Sequence, residues 1–417
     1  MSVPPRRIAL VAACPFPSPQ GSQVFVGQMA ERLAAAGHDV HLLTYGQGAE
    51  QVGRGYRHHR IARLPGDDSQ RSGPNLVKPL LDAMLARRLV TLVREQAIGI
   101  LHAHNYEAAV AALAAGAWCR VPVVYHSHNL MGDELETYFE SPRARRVAAL
   151  AGGLLDRSVP RRADRVIALC RWSADRLVAA GCAAEAVHVI PPAVDDDGPL
   201  AVNTADRAFF GLGAGDFVVG YVGNLDAYQN LGLLFDAMAR LAAPGKGRES
   251  REEPGEQAGP RPRLLVASHA IPVGFPGPEV KAALGDGLRV VEVHGPAEAR
   301  RALSACDAVA LPRRLGSGYP VKLLNSMSAA KAVVSAGCGS KVLRDGLDAL
   351  VVPDDDARAL ADALEALRRD PARRGRLGEE ARRTFLRELT WEQVLPKIEE
   401  VYAGLREPAG HPGRRGS

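Results

Sequence analysis

Short apolar runs, many of them rich in Val and Ile, alternate with longer amphipathic stretches along the first half of the chain. The runs cover residues 8–13, 40–44, 99–102, 121–126, 165–169 and 187–190. Strands of a parallel sheet are buried on both faces and read as continuous apolar runs, with helices in the intervening segments. The pattern predicts successive βαβ units. The first is the clearest, because a helix from Ser22 to Ala36 ends at Gly37.

The alternation breaks at residues 191–197, where two prolines are followed closely by three aspartates, and then resumes. The second half predicts strands over 217–222, 264–267, 289–293, 308–311, 332–335 and 349–352, with helices over 231–242 and 356–368. Two doubly wound α/β domains of about 200 residues each follow from this count, with a hinge after Ile190.

Two segments depart from this pattern. Residues 244–263 and 406–417 are rich in Pro, Gly and Arg and contain almost no apolar side chains. Such segments bury too little apolar surface to offset the entropy lost on ordering. We therefore expect a disordered insertion at 244–263 within the second domain and a disordered tail at 406–417.

The chain has 417 residues, 52 Lys plus Arg against 47 Asp plus Glu, and a formal net charge of +5. This charge is modest and spread over several Arg-rich stretches, which argues against a nucleic-acid partner. The six cysteines are scattered without Cys-x-x-Cys spacing, so we expect reduced thiols in the cytoplasm. The N-terminal residues lack the apolar segment of a signal peptide, and no apolar run is long enough to span a bilayer.

The loop of residues 14–21, between the first strand and its helix, is the first candidate binding element. In open α/β sheets, ligands bind outside the carboxyl ends of strands, where helix N-termini attract anions. Gly21 lacks a Cβ where the backbone would approach a ligand, and Ser22 is suited to cap the helix. A plain strand–helix turn explains the same residues equally well.

Residues 311–322 form a second candidate element, because they follow a predicted strand and lead into a helix. Gly316 and Gly318 allow close backbone approach, and Pro320 suits the first helical turn. Cations near this helix N-terminus, Arg313, Arg314 and Lys322, would complete a phosphate-binding loop. A solvated basic turn remains the alternative.

Histidines follow two neighbouring predicted strands, His102 and His104 after one and His126 and His128 after the next. His-x-His spacing alone is a weak metal signal without carboxylates or cysteines nearby. A neutral imidazole at the wall of a binding site can hydrogen-bond a sugar or phosphate, or move a proton. For each histidine a structural role in the core is the alternative interpretation.

Taken in order, several short motifs resemble those of family-4 retaining glycosyltransferases of the GT-B fold, over nearly the whole chain. They are residues 17–21, 33–40 (Leu-Ala-Ala-Ala-Gly-His-Asp-Val), 124–129 (Val-Tyr-His-Ser-His-Asn), 163–168 (Ala-Asp-Arg-Val-Ile-Ala), 189–191 (Val-Ile-Pro), 221–225 (Tyr-Val-Gly-Asn-Leu) and 349–353 (Ala-Leu-Val-Val-Pro). The segment from Leu389 to Tyr402 resembles the last helix of that family.

This resemblance implies an α/β protein with two Rossmann-like, doubly wound domains facing a cleft. Residues 1–195 would bind the acceptor, 196–388 would bind a nucleotide-diphosphate sugar, and the helix at 389–405 would cross back to the N-terminal domain. It also implies transfer with retention of anomeric configuration, without a metal and with no cofactor beyond the donor substrate. The expected setting is the biosynthesis of a polysaccharide, glycolipid or glycosylated metabolite.

The site residues implied by the resemblance include departures from the family. Asn224 and Gln229 stand where the family has the Arg and Lys that clamp the donor diphosphate, and Ser317 and Asn325 replace its paired glutamates. Our hypothesis is an active enzyme with a shifted clamp. In it, His128, Arg313 and Lys322 are catalytic, the donor-binding residues are Gly223, Asn224, Gln229, Ser317, Gly318, Tyr319, Pro320 and Asn325, and the acceptor-binding residues are Gly21, Ser22 and His104.

The alternative hypothesis is a catalytically silent, glycosyltransferase-like protein that binds a sugar nucleotide or a partner enzyme. An epimerase of the same fold is disfavoured, because its acidic and histidine residues are not evident.

Within residues 141–165, the apolar run 147–155 is surrounded by Arg143, Arg145, Arg146, Arg157, Arg161 and Arg162. This pattern is typical of a helix on an anionic membrane surface and would suit a lipid-linked acceptor. We therefore expect a cytoplasmic protein, with peripheral contact at the inner face of the membrane as one hypothesis. An amphipathic helix packed on its own domain is the other.

Overall fold

The structure, a computed structural model, describes residues 4–18, 21–48, 54–64, 77–139, 141–243, 260–314, 319–337 and 341–406. Its strands are β1 (Arg7–Ala12), β2 (Asp39–Thr44), β3 (Arg57–Arg60), β4 (Ile100–His104), β5 (Val123–Ser127), β6 (Arg165–Ala168), β7 (Val187–Val189), β8 (Phe217–Val222), β9 (Pro262–Ser268), β10 (Leu288–Glu292), β11 (Ala308–Leu311), β12 (Ala332–Ala336) and β13 (Leu350–Val352).

Helices connect most of these strands. They are α1 (Gly21–Ala35), α2 (Lys78–Gln96), α3 (Tyr106–Cys119), α4 (Met131–Glu134), α5 (Pro142–Ser158), α6 (Arg171–Ala179), α7 (Thr204–Phe209), α8 (Leu231–Ala242), α9 (Pro278–Leu284), α10 (Pro296–Ala305), α11 (Val321–Ser328), α12 (Ala357–Arg369), α13 (Pro371–Glu388) and α14 (Trp391–Ala403). Among the described residues, no helix is both long enough and apolar enough to cross a membrane.

The chain divides into two α/β units. The first ends at Val194 and resumes at Thr390, and the second lies within Asp195–Leu389, so both divisions fall within two residues of the predicted boundaries. In the first unit seven parallel strands follow the order β3-β2-β1-β4-β5-β6-β7. In the second, six parallel strands follow the order β10-β9-β8-β11-β12-β13. The predicted pair of doubly wound sheets is confirmed.

Burial explains why the central strands were predictable. Residues Ile8 to Ala12 of β1 are at most 1% exposed, and apolar clusters cover both faces of the first sheet. On one face, α14 contributes Trp391, Val394, Ile398 and Tyr402 to the cluster that contains Ile8 and Leu10. The C-terminal helix therefore packs on the sheet of the first unit.

Two predictions of local structure were incomplete. Strand β3 was not predicted, because Arg57-His58-His59-Arg60 contains no apolar residue and pairs only with β2 at the sheet edge. The predicted insertion, 244–263, was wrong at its end, because Pro262 and Arg263 pair with Phe217 and Val218 in the second sheet. Residues 244–259 and 407–417 lie outside the described residues.

Candidate functional site

Four histidines lie side by side at the carboxyl end of the first sheet. His104, the last residue of β4, pairs in register with His126 of β5, and His128 follows β5 directly. Alternate residues of a strand project to the same face, so both His-x-His pairs face the same side. The centroid of the His104 ring lies 4.6 Å from that of His102 and 5.0 Å from that of His126. The structure thus places the four predicted histidines together, while their roles stay predictions.

We call His102, His104, His126 and His128 the histidine edge. Hydrogen bonds arrange it into two short chains. In the first, His102 Nδ1 lies 2.6 Å from Tyr402 Oη, and His102 Nε2 lies 3.2 Å from His126 Nδ1. In the second, His104 Nδ1 lies 3.0 Å from His128 Nε2. The Nε2 atoms of His104 and His126 are buried and have no hydrogen-bond partner among the described residues. Tyr402 was not singled out from the sequence, because it lies 300 residues from His102.

Burial keeps these imidazoles uncharged. It lowers the pKa of His102 from 6.5 to about 3 and that of His128 to about 4, and it lowers the pKa of His104 and His126 well below the usual value. A neutral imidazole has one donor and one acceptor nitrogen. At neutral pH this edge can therefore orient hydroxyl groups, but it offers no positive charge to a phosphate.

The same group has the residue types of a metal site, because nitrogen atoms of His102, His104 and His126 lie within 4.8 Å of one another. Zinc needs lone pairs that converge on one point at about 2.0–2.1 Å. The three rings are nearly parallel, with interplanar angles of 11° to 24°. Their in-plane lone pairs therefore do not converge as the rings stand, and the expected independence from metal stays a prediction.

The start of α1 differs from the predicted cap. Because α1 begins at Gly21, Ser22 lies inside the first turn, and its hydroxyl donates to Gln23 Oε1 at 2.8 Å. The prediction that Ser22 caps the helix was therefore wrong. The acceptor-binding roles of Gly21, Ser22 and His104 stay predictions.

A carboxyl group hydrogen-bonded to Asn129, the residue after His128, was missed in the sequence. Glu134, in α4, accepts hydrogen bonds from Asn129 Nδ2 at 3.0 Å and from Tyr138 Oη at 2.8 Å. Burial raises its pKa. Asn129 follows His128 directly, so this pair brings a carboxyl group close to the histidine edge. No helix was predicted over residues 131–138, so no signal in the sequence singled out this carboxyl group.

The carboxyl end of the second sheet carries cations and amides instead. Lys322, in the first turn of α11, donates from Nζ to Tyr221 Oη at 2.6 Å, and its Nζ lies 3.4 Å from Asn224 Oδ1. Gln229 Nε2 donates to the same Asn224 oxygen at 2.8 Å. Asn224 also bonds Asp226 and Tyr228. The structure thus joins three predicted residues, Lys322, Asn224 and Gln229, into one network.

Gly223 makes room for the lysine. A Cβ at this position would lie 2.9 Å from both Cε and Nζ of Lys322, and the backbone φ of Gly223 is +155°. Burial and the neighbouring Arg313 guanidinium hold the pKa of Lys322 well below its usual value, while Asp226 opposes this shift. No described carboxylate lies within ion-pair distance of Lys322 Nζ. We call the group around Lys322 and Arg313 the cationic edge. A negatively charged ligand bound there would therefore stabilise the Lys322 ammonium.

The remaining predicted donor residues are placed as follows. The Arg313 guanidinium lies 5.4 Å from the centre of the Tyr228 ring, whereas Arg314 pairs at the surface with Asp355 at 2.8 Å. Tyr319 and Pro320 lead into α11. Asn325 is exposed on α11 and makes no side-chain hydrogen bond to the network among the described residues. Ser317 and Gly318 lie outside the described residues. Tyr221 and Asp226 were missed by sequence reasoning.

Comparison with known proteins indicates the class of enzyme to which the chain is similar. Residues 19–197 match the family model Glycosyltransferase Family 4, and residues 216–370 match Glycosyl transferases group 1. A D-inositol 3-phosphate glycosyltransferase of Kineococcus radiotolerans is 28% identical over 95% of this chain and 95% of its own length. The enzyme of the same name from a Nocardioides species is 27% identical over 97% of this chain and 92% of its own length.

Solved structures show the same fold. Anabaena Alr3699/HepE in complex with UDP and glucose has a TM-score of 0.73 and 18% identity, covering 96% of this chain and 100% of that one. Sucrose-phosphate synthase from Thermosynechococcus elongatus has a TM-score of 0.78 and 18% identity, covering 95% and 98% of the two chains. The chain is therefore a glycosyltransferase of the GT-B fold, with an N-terminal part similar to Glycosyltransferase Family 4 and a C-terminal part similar to Glycosyl transferases group 1.

Proposed function

We propose that the chain transfers a sugar from a uridine-diphosphate sugar to an acceptor hydroxyl, with retention of anomeric configuration and without a metal. The cationic edge of the second sheet carries the proposal, because Lys322 lies beside Gly223 in the turn that follows β8 and Arg313 lies over the ring of Tyr228. The uridine class is supported by HepE, a structural neighbour described with UDP, with UDP-glucose and with glucose. Neutral Asn224 and Gln229 serve as hydrogen-bond partners rather than as the clamp.

In the proposed reaction, the bond between the anomeric carbon and the diphosphate oxygen breaks while the acceptor oxygen bonds to that carbon. Negative charge builds up on the departing diphosphate, and the acceptor hydroxyl proton leaves with it. Lys322 and Arg313 stabilise that charge, which is an interaction stronger in the transition state than in the ground state. Proximity to the diphosphate also raises the pKa of Lys322 toward its ordinary value.

His128 acts in this proposal as an uncharged partner of the transferred sugar. Its Nε2 is engaged with His104, whereas its Nδ1 has no hydrogen bond to another described residue. With a pKa of about 4, the ring is neutral at physiological pH and orients a sugar hydroxyl without proton transfer.

The acceptor remains the open part of the proposal, and its hydroxyls would meet the histidine edge. D-Inositol 3-phosphate is the first compound to test, since it appears in the names of relatives 28% and 27% identical to this chain. Sugars, other polyols and lipid-linked sugars form the rest of the panel. Contact of residues 141–165 with a membrane is a separate proposal, which the exposed face of α5 supports.

Calorimetric binding of nucleoside diphosphates and nucleotide sugars, followed by a donor hydrolysis assay, tests the proposal. We expect UDP and a UDP-sugar to bind and the sugar to be released slowly without acceptor. Lys322→Gln should weaken binding, whereas Lys281→Gln, an exposed lysine of the same unit, should not. No binding across the panel would contradict the proposal, and so would a product whose anomeric configuration, read by NMR, is inverted.

A further inference from the structure

Helix α5 turns a stripe of large apolar side chains toward solvent. Val147, Leu150 and Leu154 are 67%, 67% and 65% exposed. Their spacing of three and four residues places them on one side of the helix. The same helix packs on its own unit through small residues, since Ala148 and Gly152 are buried. The apolar run is therefore divided, with its small side chains inside and most of its large ones outside.

The helix is held firmly in this orientation. A Cβ on Gly152 would lie 2.2 Å from the carbonyl oxygen of Met131, so the helix and α4 are in close backbone contact. Asp156 accepts hydrogen bonds from the backbone N–H groups of Met131 and Gly132, both at 2.9 Å, and from Tyr106 Oη at 2.5 Å. The exposed stripe is thus preformed and needs no folding step before it meets a partner.

The exposed charged side chains of α5 itself all have the same sign. Asp156 is the one acidic residue of α5, and it is buried. None of the exposed arginines around the stripe pairs with a carboxylate among the described residues; they are Arg143, Arg145, Arg146, Arg157, Arg161 and Arg162. The unpartnered surface therefore combines an apolar stripe with positive charge at both ends.

Helix α13 provides the contrast, because it is rich in arginine as well and carries six of them. Four of them pair with carboxylates, namely Arg374 with Asp307, Arg382 with Asp196, Arg383 with Glu380 and Arg387 with Glu388. Its exposed large apolar residue is Leu386, at 42%. An Arg-rich helix in this protein is therefore not by itself an unpaired apolar surface.

We propose that α5 is an interfacial helix that lies flat on an anionic lipid bilayer. Val147, Leu150 and Leu154 would enter the boundary between headgroups and acyl chains, and the arginines would contact lipid phosphates. A bilayer offers an apolar layer beneath a plane of negative charge, which matches a straight apolar stripe flanked by arginines. Because Val147, Leu150 and Leu154 lie on one side of the helix, all three reach that plane together when the helix lies flat. This contact is independent of the proposed sugar transfer.

Flotation of the full chain with vesicles tests the proposal. We expect binding to vesicles containing about a third anionic phosphatidylglycerol at low salt, and weak binding at high salt or to pure phosphatidylcholine. Changing Val147, Leu150 and Leu154 together to Ser should weaken partitioning about a hundredfold. Changing Arg143, Arg146 and Arg157 together to Gln should have a similar effect. These side chains are exposed, so folding and donor hydrolysis should not change.

The matched control removes the same charge elsewhere, through Arg373→Gln, Arg376→Gln and Arg383→Gln on α13. It should change partitioning by less than about threefold. An equal loss in this control would overturn the proposal, because net charge alone would then explain binding. No flotation of the unaltered chain at low salt would overturn it as well. A dimer that the serine changes abolish, without vesicle binding, would instead assign the stripe to a second copy of the chain.

Discussion

The carboxyl ends of the two sheets occupy the same topological position in their units but differ in chemistry. At the histidine edge of the first unit, stacked imidazoles are neutral because burial lowers their pKa values. At the cationic edge of the second, Lys322 and Arg313 lie among amides and tyrosines. One backbone design thus provides either an uncharged hydrogen-bonding surface or a positive one, depending on a few residues after the strands.

The difference in charge between the two edges indicates how the protein could distinguish a sugar donor from an acceptor. A diphosphate needs compensating charge, which the cationic edge supplies, whereas a sugar or polyol needs directed hydrogen bonds and no net charge. The proposed division of labour follows from this contrast. Variants at either edge can test this division of labour.

Acid should destabilise the histidine edge first. The pKa of His102 is about 3 and that of His128 about 4 in the folded unit, against 6.5 for an unperturbed histidine. Between these values the unfolded chain binds protons that the folded one does not, so the free energy of unfolding falls as pH drops below about 6.5. From pH 7.5 to 5.5 we expect a loss of about 1 kcal/mol per buried histidine.

Urea titration followed by tryptophan fluorescence measures this effect. All three tryptophans, Trp118, Trp172 and Trp391, belong to the first unit, so the signal reports on that unit. His126→Gln should reduce the pH dependence, and His294→Asn, at an exposed position in the second unit, should leave it unchanged. A free energy of unfolding that is constant over this pH range would show that the imidazoles are not held neutral.

Removing the charge at the cationic edge should have the next largest effect. Lys322→Gln keeps a hydrogen-bond donor near Tyr221 but removes the ammonium, and we expect kcat/KM for donor hydrolysis to fall about a hundredfold. Stability should change little, since the lysine has no carboxylate partner among the described residues. An activity within threefold of the unaltered enzyme would remove Lys322 from the proposed clamp.

The matching change at the histidine edge should be milder. His128→Ala removes a neutral hydrogen bond to the sugar, and such bonds contribute about 0.5–1.5 kcal/mol, so kcat/KM should fall by about tenfold or less. The size of the loss should be the same at pH 6 and pH 8, because the ring is neutral at both. A loss confined to one of these pH values would indicate that His128 carries a proton during the reaction.

Arg314→Gln should have the smallest effect. Arg314 pairs with Asp355 in a surface ion pair whose side chains are 62% and 53% exposed, and such pairs contribute little to stability. We expect the free energy of unfolding to change by less than about 0.5 kcal/mol and activity by less than twofold. A loss as large as that of Lys322→Gln would place Arg314 in the clamp and extend the cationic edge.

Much of the fold could be predicted because the central strands are apolar along their whole length. Strands β8 and β11 match their predicted bounds, 217–222 and 308–311. Strand β3 could not be predicted in the same way. Its His58 and His59 are stabilised by contacts with Thr44 and His41 of the neighbouring strand, and such pairing leaves no apolar pattern.

The candidate site could be predicted only in part. Residues at strand ends can be identified from the apolar runs before them, but hydrogen-bond partners far away in the sequence cannot. His104 and His128 were found, since both follow apolar runs on neighbouring strands. Tyr402 and Tyr221 were not, because a buried tyrosine in an apolar pattern gives no sign of the group that its hydroxyl meets. Asn325 was expected among the donor residues, yet its side chain makes no hydrogen bond to the network among the described residues.

Asp156 has a role that reaches beyond holding one helix. Its carboxylate joins α5 to the backbone of Met131 and Gly132, three and four residues after His128, and to α3 through Tyr106. The solvent-facing residues of α5 are therefore mechanically linked to the histidine edge but chemically separate from it. On these two proposals, membrane affinity can be changed through Val147, Leu150 and Leu154 alone, whereas a change at Asp156 alters attachment and catalysis together.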